Sequence, residues 1–125
     1  KPSSAASDVY KRQGVKLVVV TRGERGCYFN NGKVQGYLDG FKVDVVDPLG
    51  AGDGFVAAML YAIMERDLGS RLDDLDEDDL REVMTFANAA GALATQQVGV
   101  IPSLPTKDEI EAFLKTHSIV RANLV

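Results

Sequence analysis

The sequence predicts an α/β domain in which strands and a hairpin come first and packed helices follow. Three observations support this class. The run from Val15 to Val20 is β-branched and almost wholly apolar, the pair Asn31-Gly32 separates two further strand-like segments, and long apolar stretches with helical periodicity begin near Gly52. In α/β sheets, ligands gather beyond the carboxyl ends of strands. The loops that follow the strands are therefore where a site is expected.

The strand region opens with the run 15–20, which has no polar alternation and predicts a strand buried on both faces. Cys27–Phe29 and Lys33–Leu38 flank the Asn-Gly pair, which is a strong signal for a hairpin. Residues Val43–Val46 predict an extended strand that leads into a glycine-rich loop. A proline at position 48 keeps that loop open until the next helix begins.

Three helices are predicted after the strands. The first runs from about Gly52 to Arg66 and is apolar nearly all round, so most of it should be buried, and Gly69 suits its termination. An acidic run, expected as a solvated loop, precedes the second helix, which spans Asp79 to about Thr95. Thr106 and Glu109 have the spacing of a capping box that opens a short last helix.

Composition limits the classes of function. The 125 residues are 46% hydrophobic and 26% charged, which suits one domain with its own core. A net charge of −4 with dispersed basic residues argues against nucleic acid or an anionic membrane surface as the main partner. The longest apolar run, Phe55 to Met64, is far shorter than the roughly 20 residues that a spanning helix needs. No signal segment is visible, so we expect a cytoplasmic protein.

Three features have structural interpretations. Residues 1–13 are polar, rich in Ser and Ala and without periodicity, so we expect a non-native or disordered leader before a domain over 14–125, with a natural surface loop as the alternative. Cys27 is the one cysteine, which excludes an internal disulfide and predicts a small buried hydrophobe. His117 is expected near a helix end, as a partner of the C-terminal dipole.

The loop Asp47–Asp53 (DPLGAGD) is the most informative stretch. Its two glycines let backbone N–H groups crowd together, and the helix that begins there adds its positive end, so the loop predicts a seat for an anion such as phosphate. Asp53 then has two interpretations, as the cap of the helix or as a base beside the phosphate. Neither a Walker A loop nor a G-x-G-x-x-G fingerprint occurs in the chain.

At this point the motifs resemble those of the ribokinase-like (PfkB-type) carbohydrate kinases. Asp47–Asp53 resembles the family's D-T-x-G-A-G-D signature, Val20–Gly26 (VTRGERG) its V-T-x-G-x-x-G nucleotide loop, and Phe86–Thr106 its closing A-N-A-x-x-A…G-x-x-P-S-x-P-T region. Together, in this order, the three are specific. The resemblance covers nearly the whole chain from Val15 and implies the C-terminal part of a three-layer α/β/α fold whose N-terminal part is missing.

The resemblance implies ATP-dependent phosphorylation of a sugar hydroxyl. Asp53 would be the catalytic base. The backbone N–H groups of an anion hole would hold the charge on the transferred phosphoryl group, with Mg²⁺ on the phosphates. That anion hole would be formed by Gly50, Ala51, Gly52 and Asp53. The nucleotide would be lined by Thr21, Gly23, Gly26, Gly52 and Asn88.

Members of the family commonly bind a potassium-like ion beside the anion hole. The resemblance implies that most of its oxygen ligands are backbone carbonyls, which suits a hard cation and makes side-chain identity uninformative. By position the ligands would come from Asp47, Leu49, Ala94, Gln97, Gly99 and Ser103.

The acceptor and the extent of the activity stay open. The closing region is closest to fructokinases, whereas Pro48, in place of the family's usual Thr, and Gly54 favour a 2-keto-3-deoxygluconate kinase. The missing part would hold most sugar contacts and a β-lid through which a homodimer could form, so the chain alone is expected to be inactive. A hypothesis of another class is a nucleotide- or anion-binding module without catalysis, and a third is a structural domain without a ligand.

The assigned residues also have purely structural alternatives. Asp47 could simply end a strand, Asn88 could be a packed polar residue in a helix, and Thr21–Gly26 could be an ordinary turn. Ser103 could be a plain loop residue rather than a side-chain ligand.

Overall fold

A computed structural model describes residues 14–96 and 104–124, with side chains up to His117. The predicted leader, residues 1–13, lies outside the described residues. Within them, a three-stranded sheet precedes three α-helices, which confirms the α/β class. The strands are β1 (Val18–Thr21), β2 (Cys27–Asn30) and β3 (Gln35–Leu38); the helices are α1 (Ala51–Glu65), α2 (Glu77–Ala94) and α3 (Lys107–Leu124); and 3₁₀ turns span Gly23–Arg25 and Gly69–Asp74.

The predicted hairpin is confirmed. Strands β2 and β3 pair antiparallel, with Cys27 opposite Leu38 and Asn30 opposite Gln35. Asn31 holds the turn because its Oδ1 accepts the N–H groups of Lys33 (3.0 Å) and Val34 (2.9 Å). Its buried amide also donates to the carbonyls at positions 72 and 75, which fixes the hairpin to the segment before α2.

Two predictions about the strands are wrong. Strand β1 is half-buried rather than buried on both faces, because it pairs only with β2 and forms an edge of the described sheet. Residues Val43–Val46 form no strand. The backbone N–H of Val46 donates instead to the carbonyl of Thr95 at 2.7 Å, so this segment is fixed to the end of α2 rather than to a neighbouring strand.

Helix α1 has the predicted position, but the prediction that most of it is buried is wrong. One face is in the core, with Phe55 and Ile63 buried, while Leu60 and Met64 on the other face are 51% and 78% exposed. The prediction that Gly69 ends the helix is also wrong. The helix ends at Glu65, and Asp67, with φ of 55°, takes the left-handed conformation that follows.

Helices α1 and α2 approach closely at the end nearest the glycine-rich loop. A Cβ on Gly54 would lie 3.2 Å from the Cβ of Ala94 and 3.3 Å from the carbonyl oxygen of Ala90. A Cβ on Gly91 would lie 3.2 Å from the carbonyl oxygen of Ala51. The absence of side chains at these two glycines therefore lets the N-terminus of α1 lie directly against the C-terminal half of α2.

The predicted capping box is confirmed at the start of α3. Thr106 N–H donates to Glu109 Oε1 at 2.8 Å, and Glu109 N–H donates to Thr106 Oγ1 at 3.2 Å. The helix is not short, since it continues to Leu124. The prediction that His117 lies near a helix end is therefore wrong. Its Nδ1 lies 3.0 Å from the carbonyl oxygen of Phe113 one turn earlier. None of the described helices is long and apolar enough to cross a bilayer.

Cys27 is fully buried, as predicted, and it yields a testable pH dependence. Burial raises the pKa of its thiol from 9.0 to about 11. The folded chain therefore keeps a proton on this thiol that the unfolded chain loses above pH 9. The contribution of the buried thiol to the free energy of unfolding is thus intact below pH 9 and is lost as the pH rises through 11. We expect the free energy of unfolding to fall by about 3 kcal/mol over this range on account of Cys27.

The measurement is urea denaturation at pH 7.5, 9 and 10.5, with Cys27→Ala as the control. Other titrating groups contribute equally to both proteins, so the stability difference between them should shrink as the pH rises. A difference that stays constant up to pH 10.5 would contradict the burial effect on the thiol.

Candidate functional site

A cavity of about 330 Å³ lies where the sheet, the glycine-rich loop and α2 meet. This volume is at the small end of the range for small-molecule sites, roughly 300–1,000 Å³. The loop after β1, the glycine-rich loop before α1 and Asn88 of α2 all contribute to its lining. The predicted nucleotide-lining residues that it brings together are Thr21, Gly23, Gly26, Gly52 and Asn88.

The loop after β1 is a 3₁₀ turn closed on itself. Arg22 N–H donates to the carbonyl of Gly26 at 2.7 Å, and Gly26 N–H donates back to the carbonyl of Gly23 at 3.1 Å. Gly26 has φ of 91° and ψ of −136°, and a Cβ there would lie 1.8 Å from the carbonyl oxygen of Leu38. The loop therefore needs glycine at this position, because the backbone of the hairpin lies directly against it.

The N-terminus of α1 forms a second wall of the cavity. Gly50 occupies the N-cap position in the left-handed conformation (φ 94°, ψ −7°), without a side-chain cap. The interpretation of Asp53 as the helix cap is therefore wrong, since Asp53 is the third helical residue. The Ala51 N–H makes a long hydrogen bond of 3.3 Å to the carbonyl of Pro48. The N–H groups of Gly52 and Asp53 donate to no acceptor among the described residues.

These unpaired donors and the positive end of the helix dipole make the α1 terminus suitable for an anion. Glu24 is the one charged residue among the described residues that line the cavity. A phosphate in this cavity would thus be held by backbone donors rather than by lysine or arginine side chains.

Asp53 lies beside the cavity and does not line it. Its side chain is exposed, and among the described residues it has no hydrogen bond or ion pair. It lies on the same exposed helix face as Val56 and Leu60, which follow it by three and seven positions. The carboxylate is therefore accessible to a small molecule that approaches from outside the cavity.

The described part of the predicted ion site comes together at the end of α2. Asp47 N–H donates to the Thr95 carbonyl at 2.9 Å, beside the bond from Val46. Asp47 Oδ1 accepts the Leu49 N–H at 3.0 Å, so Asp47 shapes the loop rather than ending a strand. Ala94 precedes Thr95 directly. Three predicted ligands, Gln97, Gly99 and Ser103, lie outside the described residues.

The described residues contain no cluster of three or more His, Cys, Asp or Glu side chains that could hold a metal ion. A cation at the glycine-rich loop would therefore depend on backbone carbonyls, as the family resemblance implies for the potassium-like ion.

Asn88 is a buried polar residue packed in α2, and it also lines the cavity. Its Nδ2 makes a weak hydrogen bond of 3.4 Å to the Asp39 carbonyl, and its amide contacts the Cys27 thiol. The packing contacts fix the side chain in place at the cavity wall.

One wall of the cavity was missed by the sequence analysis. Phe41, Val43 and Val45, from the segment between β3 and α1, line the cavity, as do Gly91 and Ala92 of α2. The available signal was the alternation of apolar residues at 41, 43 and 45. The predicted strand covered Val43–Val46 and did not include Phe41, whereas residues 41, 43 and 45 all line the cavity.

Comparisons with known proteins agree with this geometry. The sequence profile described as pfkB family carbohydrate kinase matches residues 3–107. The probable fructokinase-4 of Arabidopsis thaliana is 46% identical over 101 residues, which is 81% of this chain and 30% of that protein. The chain thus spans about 30% of the length of that relative.

Two solved structures are similar in fold. The crystal structure of a fructokinase with bound ATP from Xylella fastidiosa superposes with a TM-score of 0.82 at 27% identity, covering 91% of this chain and 37% of that chain. A fructokinase double mutant from Vibrio cholerae, in a form with fructose, ADP and potassium ion bound, has a TM-score of 0.71 at 31% identity, covering 86% and 33%.

Proposed function

Since the chain belongs to the pfkB family of carbohydrate kinases, we propose that it forms the nucleotide-binding and phosphoryl-transfer part of an ATP-dependent sugar kinase. One observation carries this proposal. A single cavity is lined by the glycine loop after β1, at Thr21 and Gly23, and by the N-terminus of α1, at Ala51 and Gly52. An apolar slot next to an anion seat is what a nucleoside triphosphate requires.

The two ends of the cavity suit different parts of the nucleotide. Phe41 and Val43 of one segment and Gly91 and Ala92 of α2 give the cavity an apolar part, which suits a flat base. The unpaired N–H groups at the start of α1 suit the phosphates. We therefore propose that the base lies toward Phe41 and the transferred phosphate toward Gly52.

Asp53 is the proposed catalytic base. Its carboxylate accepts the proton of the sugar hydroxyl, and the hydroxyl oxygen forms the new bond to the γ-phosphorus. The bond from the γ-phosphorus to the bridging oxygen breaks, and ADP leaves with that electron pair. The N–H groups of the predicted anion hole, from Gly50 to Asp53, stabilise the charge on the transferred group. The exposure of Asp53 supports this role, because the acceptor must reach it from outside the nucleotide cavity.

Two cations are part of the proposal. Mg²⁺ on the phosphates supplies charge neutralisation, and the acid-poor lining suits an ion that is carried by the nucleotide rather than by a protein cage. A potassium-like ion would be held by oxygens of Asp47, Leu49 and Ala94. Hydrogen bonds of the loop to the end of α2 bring these residues together, which supports the assignment.

Fructose is the proposed acceptor, because the similar proteins are named fructokinases. The alternative, 2-keto-3-deoxygluconate, was favoured by Pro48 and Gly54. The close contact of Gly54 with Ala90 and Ala94 explains that glycine by helix packing, independently of the substrate. Only Pro48 still supports the alternative.

The hypothesis of another class is that the chain binds nucleotide without turnover, and it is favoured by the 30% coverage of the Arabidopsis relative. Both hypotheses require that the chain binds nucleotide. Calorimetric titration of the chain with Mg·ATP tests this requirement, and we expect saturable 1:1 binding. Because the chain alone is expected to be inactive, a coupled ADP-release assay with fructose and with 2-keto-3-deoxygluconate separates them after residues 15–107 replace the matching segment of the Xylella fastidiosa fructokinase. Binding without ADP release supports the module, and absence of binding contradicts both.

A further inference from the structure

Phe41 has an unusual position for a residue outside regular structure. It lies between β3 and α1 in a segment that forms no strand, yet it is only 3% exposed. It lines the cavity on one side. On the other side it packs into a cluster with Ala89 of α2 and with Ile110 and Phe113 of α3. Phe41 therefore connects the wall of the cavity to a helix that does not line it.

The contact from α3 is an aromatic stack. The Phe113 ring meets Phe41 edge to face, with 5.1 Å between centroids. The His117 ring lies on Phe113 almost parallel, at 3.7 Å and an interplanar angle of 11°, and it meets Phe41 at 6.0 Å. The His117 ring is itself oriented by the 3.0 Å contact of Nδ1 with the Phe113 carbonyl. Two side chains of α3 thus support Phe41 from behind.

Hydrogen bonds fix the cavity wall at its two ends. Near β3, Asn88 donates a weak 3.4 Å bond to the Asp39 carbonyl. Near α1, the N–H groups of Val46 and Asp47 donate to the Thr95 carbonyl. The ring of Phe41 lies between these points and attaches the middle of the wall to the aromatic stack.

We propose that α3 positions the base-facing wall of the nucleotide cavity, with Phe113 and His117 acting as positioning residues that hold Phe41 in place. This inference rests on the proposed function, because it assumes that a nucleotide base occupies the slot beside Phe41. It assigns to α3 a role in nucleotide affinity although neither residue lines the cavity. The effect should depend on the presence of a base in the ligand.

Phe113→Leu tests the proposal, since it keeps an apolar side chain but removes the ring contact. Calorimetry would compare two probes, Mg·ATP and Mg·tripolyphosphate, which has the phosphates but no base. We expect the dissociation constant for ATP to rise roughly fivefold, as for loss of one aromatic pair. The dissociation constant for tripolyphosphate should stay the same.

Ile110→Val is the matched control, because Ile110 is buried in the same cluster on the same helix but is aliphatic, so the change removes one methyl group and no ring–ring contact. It should lower the melting temperature without weakening ATP binding. Equal losses for ATP and tripolyphosphate, or equal ATP losses in the two variants, would overturn the positioning role. If tripolyphosphate binds too weakly to measure, the ATP comparison of the two variants decides alone. Failure of the unsubstituted chain to bind either probe would overturn the proposed function and this inference with it.

Discussion

Replacing Asp53 with asparagine is expected to abolish phosphoryl transfer while leaving nucleotide binding intact. The amide cannot accept the hydroxyl proton, and loss of a positioned base typically costs about 10²–10⁴ in rate. Binding should persist because Asp53 does not line the cavity. Since the chain spans only part of its relatives, we would place residues 15–107 in the Xylella fastidiosa fructokinase in place of its matching segment. The measurement is ADP release with fructose.

Asp44→Asn in the same chimera is the control. Asp44 is an exposed carboxylate on the segment that leads to the glycine-rich loop, and it does not line the cavity. Its removal should leave the turnover number within about twofold, as for surface substitutions away from special features. A chimera with Asp53→Asn that retains the parent rate would show that another group accepts the proton.

Gly26→Ala is expected to have the largest effect on the fold. An alanine Cβ would lie 1.8 Å from the carbonyl oxygen of Leu38 and 2.6 Å from the backbone nitrogen of Gly40. Both neighbours are backbone atoms, so a strand end must move, and φ of 91° adds strain for any side chain. We expect a loss of at least about 3 kcal/mol in the free energy of unfolding, measured by urea denaturation.

Gly23→Ala in the same loop separates the cost of the positive φ from the cost of the close contact with the hairpin backbone. Gly23 also has a positive φ, of 60°, but a Cβ there would meet no atom within 4 Å. The cost should be only the backbone strain, about 1–2 kcal/mol. Equal losses in the two variants would mean that strain alone, and not the close approach of the hairpin, accounts for the glycine at position 26.

Local chemistry explains which elements the sequence predicts well. The hairpin turn depends on the side chain of Asn31, which bonds to N–H groups two and three residues away. The start of α3 likewise depends on Thr106 and Glu109, whose bonds lie within one helical turn. Such interactions are complete within a few residues, so the sequence pattern contains nearly all of their cause.

The failures concern long-range contacts. The burial of β1 and of the outer face of α1 depends on which surfaces lie against them, and a run of apolar residues does not specify that. Residues 43–46 have the composition of a strand, but the Val46 N–H finds its acceptor at Thr95, about fifty residues away. The length of α3, and hence the position of His117 within it, was likewise not specified by its capping signal.

The candidate site shows the same division. The loop after β1 was expected to meet the start of α1 because a strand was predicted before each. The two do line one cavity, but residues 43–46 form no strand, so the rule about strand ends does not account for their meeting. The wall at Phe41 does not follow from that rule, since its position depends on Phe113, which is 72 residues further along the chain (113 − 41). The roles of Asp53 and of the ion-site residues remain predictions.

If the N-terminus of α1 and the loop after β1 form one site for Mg·ATP, as proposed, then Gly52→Leu should weaken its binding. Gly52 lines the cavity, has no positive φ and has no atom within 4 Å of a built Cβ. A side chain can therefore begin there without backbone strain, and the loss of a helical glycine should raise helix stability by up to about 1 kcal/mol. The leucine side chain would occupy the proposed phosphate position.

The measurement is calorimetric titration of the unsubstituted chain and of the leucine variant with Mg·ATP, together with their melting temperatures. We expect saturable binding to the unsubstituted chain and at least about tenfold weaker binding to the variant, with a melting temperature that is equal or higher. Equal affinity of the two proteins for Mg·ATP, or no binding by the unsubstituted chain, would contradict the proposal.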